Sequence, residues 1–266
     1  MAAGNFGDVI KHMILLELVD VLTPKTKSGG NFNYFETHGS KMSHQVKRSS
    51  SSGVVRLCNL YHSGHPILQA NLNSNKYLNF IHQYFTQAPA SIDYFSSWYL
   101  VNAFLTTKEI TPRIDVCEIN RDTYLDTIKA INYKFPTIHY SNTEGYSLLK
   151  TYLSKGLRPS LVLIDPFYSG SDKEVQVSVS EVNHIVEVLD FYRIPFLVWY
   201  PVYSKKLKFN FINANNHIEV DNNTNNAASH MNSTGMIFSN NISHHVLGIR
   251  NDILFLDHLG LGWKVK

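Results

Sequence analysis

The sequence has 266 residues, of which 44% are hydrophobic and 17% are charged, and this composition excludes a globally disordered chain. The length suits one core that carries a substantial insertion. A formal net charge of +3 and a pI near 8.7 permit a basic patch for a polyanion but do not require one.

The first predicted elements are a helix over residues 5–22, where apolar residues recur with helical spacing over a wide face, and a short strand within 31–40. From residue 41 to 94 the character changes to a serine-rich tract and a segment rich in asparagine and aromatic residues. We predict an inserted helical subdomain over 41–94, with 1–40 and 95–266 forming the core domain.

Beyond the insert, strand-like runs alternate with segments of helical spacing. The runs are apolar on both faces, which indicates a mostly parallel sheet with helices on each side. We therefore expect a doubly wound, Rossmann-like α/β fold. The predicted strands lie at 113–120, 137–142, 160–166, 194–201, 217–221 and 234–240.

Two acids stand where predicted strands of this sheet end. Ligands of doubly wound folds bind beyond the carboxyl ends of the strands. Glu118 is placed to accept hydrogen bonds from a ribose diol, or it is an ordinary acidic strand end. Glu144 directly precedes a helix, so it either accepts from an adenine amino group or only complements the helix dipole. The residues leave both alternatives open.

The strand within 160–166 runs into Asp165, Pro166, Phe167 and Tyr168. An exocyclic adenine amine is a poor nucleophile, and two fixed acceptors that hold its hydrogens would aim its lone pair at an electrophile. The Asp165 carboxylate and the Pro166 carbonyl could supply these acceptors, and Tyr168 a face for stacking. The alternative is a strand end with a turn-forming Asp-Pro and two core aromatics.

Cysteine and histidine patterns bear on compartment and metal binding. The two cysteines, Cys58 and Cys117, form no CxxC pair, which suits a reducing cytoplasm. The 13 histidines form no HExxH motif and no quartet with cysteine, so we expect no metal. Early charged residues argue against a secretory signal, and no run approaches the roughly 18 apolar residues of a membrane span. We expect a cytoplasmic protein without membrane attachment.

Several motifs resemble those of a known family. The stretch "LIDPFY" at 163–168 resembles the Asp-Pro-Pro-Tyr motif of class I adenine-N6 methyltransferases, which use S-adenosylmethionine. The whole series resembles the ribosomal RNA large subunit methyltransferase J family, which methylates adenine N6 of 23S rRNA and is also labelled as involved in the catabolism of external DNA. The other motifs, in order, are "AGNFGDVIKH" (3–12), "YFETHGS" (34–40), "EIN" (118–120), "EGYSLL" (144–149), "VWYPV" (198–202) and "STGMIFSN" (233–240).

This resemblance implies a class I S-adenosylmethionine-dependent methyltransferase fold, a monomer, and 23S rRNA as partner. The residues it implies for catalysis are Asp165, Pro166, Tyr168 and Lys11. Those it implies for cofactor binding are His12, His38, Glu118, Glu144, Gly145 and Asp165. Trp199, Tyr200 and Pro201 would line the site, and Lys205, Lys206 and Lys208 would contact phosphates unless they form only a solvated basic turn.

The sequence departs from the family pattern at three places. The loop after the first strand reads "THGSKM", with Lys41 and Met42 in place of a glycine-rich turn. Phe167 replaces a proline, and Trp98 stands where the family has a small serine that contacts the cofactor. These departures motivate the alternative of a catalytically weakened methyltransferase fold that binds nucleic acid, linked to the use of external DNA.

Overall fold

A computed structural model of the chain describes residues 3–23, 31–50, 52–85, 91–131, 134–166, 172–203, 216–223 and 231–266. The helices are α1 (Phe6–Leu22), α2 (Gly53–His62), α3 (Pro66–Asn71), α4 (Lys76–Ile81), α5 (Ser97–Thr107), α6 (Arg121–Ile131), α7 (Gly145–Ser154), α8 (Asp172–Phe191) and α9 (Ser243–Ile253). The strands are β1 (Asn33–Glu36), β2 (Ser43–Lys47), β3 (Ser91–Phe95), β4 (Arg113–Cys117), β5 (Ile138–Ser141), β6 (Leu161–Ile164), β7 (Phe196–Tyr203), β8 (His217–Asn222), β9 (Met231–Phe238) and β10 (Trp263–Val265). None of the described helices is long and apolar enough to cross a membrane.

The central sheet has eight strands in the order β10-β8-β9-β7-β6-β1-β4-β5. The five strands from β7 to β5 in this order are parallel, whereas β9, β8 and β10 continue the sheet with antiparallel pairing. The prediction of a mostly parallel sheet is confirmed. β1 pairs with β4 on one side and with β6 on the other, both in parallel, so successive strands are added first on one side of β1 and then on the other. The fold is therefore a Rossmann-like α/β fold with a topological switch point between β1 and β6.

The apolar character of the central strands follows from burial on both faces. Every residue of β6 is buried, and so is each residue of β4 after Arg113. A strand covered on one face only would alternate between buried and exposed side chains. The continuous apolar runs that predicted these strands are therefore the direct consequence of helices packed on both sides of the sheet.

Helix α1 is almost completely enclosed by other elements. It packs against α2, α4, α5 and α9 and against β7 and β9, which explains its wide apolar face. The side chain of Asn5 caps it by accepting from the Asp8 N–H at 3.1 Å. At Gly7 a Cβ would lie 3.1 Å from Met231 Sδ and from Trp199 Cζ2, so this position allows the close approach of α1 to the sheet.

The segment 41–94 contains the expected helices but also a β-ribbon. Strands β2 and β3 pair antiparallel from Ser43 opposite Phe95 to Lys47 opposite Ser91, and α2, α3 and α4 lie between them in the chain. The description as purely helical is thus incomplete, because the alternation of β2 is masked by its polar residues. Buried side chains of α2 and α4, such as Leu57 and Leu78, belong to the same hydrophobic cluster as α1.

Candidate functional site

A cavity of about 480 Å³ opens at the switch point, within the size range of small-molecule sites. It lies beyond the carboxyl ends of the parallel strands and against the first turns of α1. The strand ends that line it are 36–40 after β1, 117–119 after β4, 143–145 after β5, 165–166 after β6, and Trp199 within β7. The parallel strands therefore deliver most of the predicted site residues to one place.

Lys11 and Asp165 form a partly buried ion pair in this cavity. The Nζ atom of Lys11 lies 2.5 Å from Oδ2 of Asp165 and 3.3 Å from Oδ1 of Asp8. Burial alone would lower the pKa of the Lys11 ammonium, but the two carboxylates outweigh it and raise that pKa above its ordinary value. The ring of Trp199 lies 5.7 Å from the same ammonium. Lys11 is therefore charged and holds Asp165 beside Pro166 in the wall of the cavity.

His12 is buried at the junction of α1, β3 and α5. Its Nε2 lies 3.0 Å from Ser97 Oγ, and its Nδ1 lies 2.8 Å from the hydroxyl of Tyr94, on which the imidazole also stacks. Burial, with a contribution from Lys11, lowers the pKa of His12 well below its ordinary value, so the ring is neutral. Both ring nitrogens of His12 are therefore engaged within the protein. A ligand could contact the carbon atoms of the ring or the neighbouring Ser97, which also lines the cavity.

His38 follows β1 and also lines the cavity. Its Nδ1 lies 2.8 Å from Thr37 Oγ1, and its ring meets Tyr146 edge-on. Burial lowers the pKa of His38 to about 4, although Glu144 acts in the opposite direction. A neutral imidazole in the cavity wall can donate or accept a hydrogen bond but carries no charge at neutral pH.

Glu118 and Glu144 line the cavity while bonding to their own loops. Oε1 of Glu118 accepts from the Asn120 N–H at 2.6 Å, and burial raises the pKa of this carboxyl. Glu144 caps α7 by accepting from the N–H groups of Tyr146 at 2.8 Å and Ser147 at 2.7 Å. Burial raises the pKa of Glu144, but these bonds outweigh it and leave the pKa below its ordinary value. The helix-capping role of Glu144 is therefore real, and its position in the cavity wall leaves room for a second role.

Gly145 is explained by packing of the chain itself. A Cβ at this position would lie 2.1 Å from the carbonyl oxygen of Thr37. The N-terminus of α7 therefore sits directly on the loop after β1. This contact brings the end of β5 close to the end of β1 and closes one side of the cavity.

The loop after β1 leaves the cavity clear despite its bulky residues. Gly39 donates its N–H to the Cys117 carbonyl at 2.6 Å and lines the cavity together with Ser40. Lys41 pairs instead with the exposed Asp126 at 2.7 Å, and Met42 packs against the core. The two large residues of "THGSKM" are thus absent from the cavity wall.

Trp98, expected to stand where the family has a cofactor-contacting serine, does not line the cavity. Its side chain is fully buried, and its Nε1–H donates to the Ser40 carbonyl at 3.0 Å. Ser96 and Ser97, at the start of α5, line the cavity instead. The Ser96 hydroxyl is buried and has no hydrogen-bond partner among the described residues. A bound ligand would satisfy such a group.

Glu36 and Asp8 also line the cavity, although sequence reasoning gave neither a role. Glu36 is 2% exposed, and its Oε2 accepts from the Tyr34 hydroxyl at 2.9 Å. Burial raises the pKa of Glu36 to about 8, against the opposing effects of Tyr34 and Lys11. Its place at the end of the first strand was the available signal.

The remaining predicted residues fall into two groups. Trp199 lines the cavity, whereas Tyr200 packs over Gly235, where a Cβ would lie 2.1 Å from its Cζ, and Pro201 lies in the β7–β9 ladder. Among the described residues no cluster of histidine, cysteine, aspartate and glutamate could hold a metal ion. Phe167, Tyr168, Lys205, Lys206 and Lys208 lie outside the described residues.

Fold and cavity together define a Rossmann-like α/β protein whose switch-point cavity is lined by several charged side chains. No protein-family model matches the chain, and no curated protein does. Among solved structures, the chain is similar to protein LPL1258 from Legionella pneumophila str. Philadelphia 1, described by the family model DUF519, with a TM-score of 0.69 and 21% identity over 100% of this chain and 98% of that one. At this identity the likeness shows the fold alone, and it extends over the whole chain.

Proposed function

We propose that the protein is an S-adenosylmethionine-dependent methyltransferase that methylates N6 of adenine in 23S rRNA. The observation that carries the proposal is the meeting of Asp165, Pro166 and the ion-paired Lys11 in one cavity with Glu118. The motif resemblance supplies the reaction, and the switch-point position of the cavity agrees with where Rossmann-like folds bind nucleotides. The fold would then be that of a class I methyltransferase with 41–94 as its insertion.

The residues of the cavity fit the proposed cofactor. The carboxylate of Glu118 retains acceptor capacity for a ribose diol beyond its bond from Asn120. The unsatisfied Ser96 hydroxyl and the N-terminus of α5 suit a carboxylate, because the first N–H groups of a helix have no partner within it. The acidic wall formed by Asp8 and Glu36 suits a positively charged centre.

In this proposal S-adenosylmethionine supplies a methyl group bound to a sulfonium, which is already an activated electrophile. The protein therefore has to orient the adenine amine and receive its proton. The Asp165 carboxylate and the Pro166 carbonyl accept from the two amine hydrogens. The bound cofactor would supply the methyl group, with its C–S bond breaking as the amine nitrogen forms the N–C bond, and the proton lost by nitrogen would pass to Asp165. Lys11 holds Asp165 in place before the base arrives.

Methyl transfer from labelled cofactor to total rRNA from a strain that lacks this protein tests the proposal. We expect incorporation with the unaltered chain and a loss on the order of 100-fold or more with Asp165→Ala. Asp252→Asn is the matched control, because this exposed carboxylate lies in α9, outside the cavity lining. Equal incorporation by Asp165→Ala and the control would contradict the role of Asp165, and no incorporation by any variant would contradict the enzyme.

The alternative is a methyltransferase fold that binds nucleic acid without catalysis. It was motivated by Lys41-Met42, Trp98 and Phe167, and the first three of these residues are not among those that line the cavity. Two of the three sequence departures that suggested this alternative therefore do not obstruct the cavity. Calorimetric titration with S-adenosylhomocysteine separates the two functions, since micromolar binding supports the enzyme and no binding supports the alternative.

A further inference from the structure

Carboxyl groups outnumber cations in the cavity. Among the described residues, Lys11 is the one lysine or arginine in the lining, and its neighbour histidines are neutral near pH 7 because burial lowers the pKa of each. These histidines are His12, His38 and His44. The carboxyl groups are those of Asp8, Glu36, Glu118, Glu144 and Asp165. Such an imbalance favours a ligand with positive charge.

Glu36 is one of these carboxyl groups and lies at the end of β1, beside the switch point. Lys11 acts on it from α1, Asp165 from the end of β6 and Glu118 from the end of β4, while Tyr34 donates from its own strand. Burial raises the pKa of Glu36 to about 8, with Tyr34 and Lys11 opposing and the two acids adding to the rise. Glu36 therefore holds a proton at neutral pH when the cavity has no cationic ligand.

A cation in the cavity would reverse that preference. An opposite charge within about 4–6 Å stabilises the ionised form of a carboxyl group. S-adenosylmethionine has a sulfonium and a net charge of one, whereas its product S-adenosylhomocysteine is a neutral thioether with the same ribose and adenine. The two ligands thus differ at the part of the molecule that a carboxylate senses and agree elsewhere.

We infer that Glu36 is a specificity-determining residue that gives up its proton when the sulfonium cofactor binds and that makes the site hold the neutral thioether product less tightly. This inference rests on the proposed function, because it takes S-adenosylmethionine as the ligand. The proton passes to solvent, so one positive charge enters the cavity and one leaves. Binding of the cofactor then strengthens as pH rises towards the pKa of Glu36, by up to about tenfold per pH unit.

Isothermal titration calorimetry at pH 7, in phosphate and in Tris, measures the proton release. With Glu36 mostly protonated beforehand, we expect close to one proton released per S-adenosylmethionine and close to none per S-adenosylhomocysteine. Equal proton release for the two ligands would overturn the inference and leave the proposed function standing. Failure of both ligands to bind would overturn the proposed function, and the inference with it.

Two substitutions assign the proton to Glu36. Glu36→Gln keeps an acceptor for Tyr34 but cannot ionise, so we expect no proton release beyond that of the ligand's own amine. Cofactor binding at pH 8.5 should weaken at least tenfold, and binding of the thioether should stay within about twofold of the unaltered chain. Tyr34→Phe removes a bond that lowers the pKa of Glu36, so the rise in affinity should move to higher pH. The difference from Glu36→Gln also subtracts the titration of the ligand's own amine.

The matched control is Glu118→Gln, which alters a carboxyl group proposed to contact the ribose that both ligands share. It should weaken both ligands by a similar factor and keep the proton release. If Glu36→Gln instead weakened the binding of both ligands by the same factor, with the thermal midpoint of unfolding unchanged, Glu36 would not distinguish the charged ligand from the neutral one.

Discussion

The two sides of the cavity hold their carboxylates in different ways. On the side of α1 and β6, Asp8 and Asp165 are bound to a second charge, the ammonium of Lys11. On the side of β4 and β5, Glu118 and Glu144 are bound to backbone N–H groups of their own loops. The first side depends on a long-range ion pair, whereas the second is built from local capping. Changes on the first side should therefore be the more damaging.

The largest effect is expected from Lys11→Ala. It leaves Asp8 and Asp165, whose side chains are 19% and 17% exposed, without their cation. Breaking a fully buried pair costs about 3–5 kcal/mol, so for this partly buried pair we expect the lower end of that range. Urea denaturation measures the loss. The control is Lys264→Ala, because Lys264 pairs with Asp257 but is 61% exposed and should cost no more than about 1 kcal/mol. Equal losses in the two variants would show that the ion pair does not stabilise its side of the cavity.

Gly145→Ala should be the most damaging change on the other side. The added Cβ would meet the Thr37 carbonyl oxygen at 2.1 Å, and forced overpacking of this kind costs about 1–3 kcal/mol. Gly248→Ala is the matched control, since no atom lies within 4 Å of its added Cβ and alanine favours a helix by about 0.5–1 kcal/mol. The two variants should shift the thermal midpoint in opposite directions, and a shared direction would contradict the close packing of α7 on the loop after β1.

Glu144→Ala should have a smaller effect, about 1 kcal/mol, through loss of the α7 cap. The pKa of Glu144 is lower in the folded chain than in the unfolded chain, so its stabilisation is present above the unfolded pKa. It is lost as pH falls through the folded pKa. Denaturation of both chains between pH 7 and pH 3 should show the difference shrinking towards acid, and a difference that grows towards acid would contradict the capping.

The smallest effect is expected from Lys41→Ala. Lys41 and its partner Asp126 are both exposed and outside the cavity wall. Affinity for S-adenosylhomocysteine should therefore stay within about twofold of the unaltered chain. If calorimetry showed affinity for S-adenosylhomocysteine reduced tenfold or more, Lys41 would contact the ligand or shape its site after all.

Local sequence patterns predicted the parallel centre of the main sheet better than its antiparallel edge or the separate β2–β3 ribbon. Helix α1 was predicted from the helical spacing of its apolar residues, and β4 and β6 from apolar runs that report burial on both faces. Strands β1 and β5 were also predicted, although β5 alternates between buried and exposed residues. The β2–β3 ribbon was missed, because neither segment alone shows a pattern that indicates pairing between residues 43 and 95. Strands β8 and β9 were predicted at 217–221 and 234–240, but their antiparallel pairing and strand β10 were not.

For the site, residues at strand ends were predictable because parallel strands bring their carboxyl ends to one edge. Glu118, Glu144 and Asp165 follow this rule. Tyr94 and Ser96 do not, because they reach the cavity only through the packing of β3 and α5 on His12 and the loop after β1.

The most direct test of the proposed function is the identity of the methylated nucleoside. Labelled 23S rRNA from the transfer reaction is digested to nucleosides and separated by chromatography with mass detection. The account predicts that the label appears in N6-methyladenosine with the unaltered chain and disappears with Asp165→Ala. Label in another nucleoside, or none in the presence of an active control methyltransferase, would contradict it.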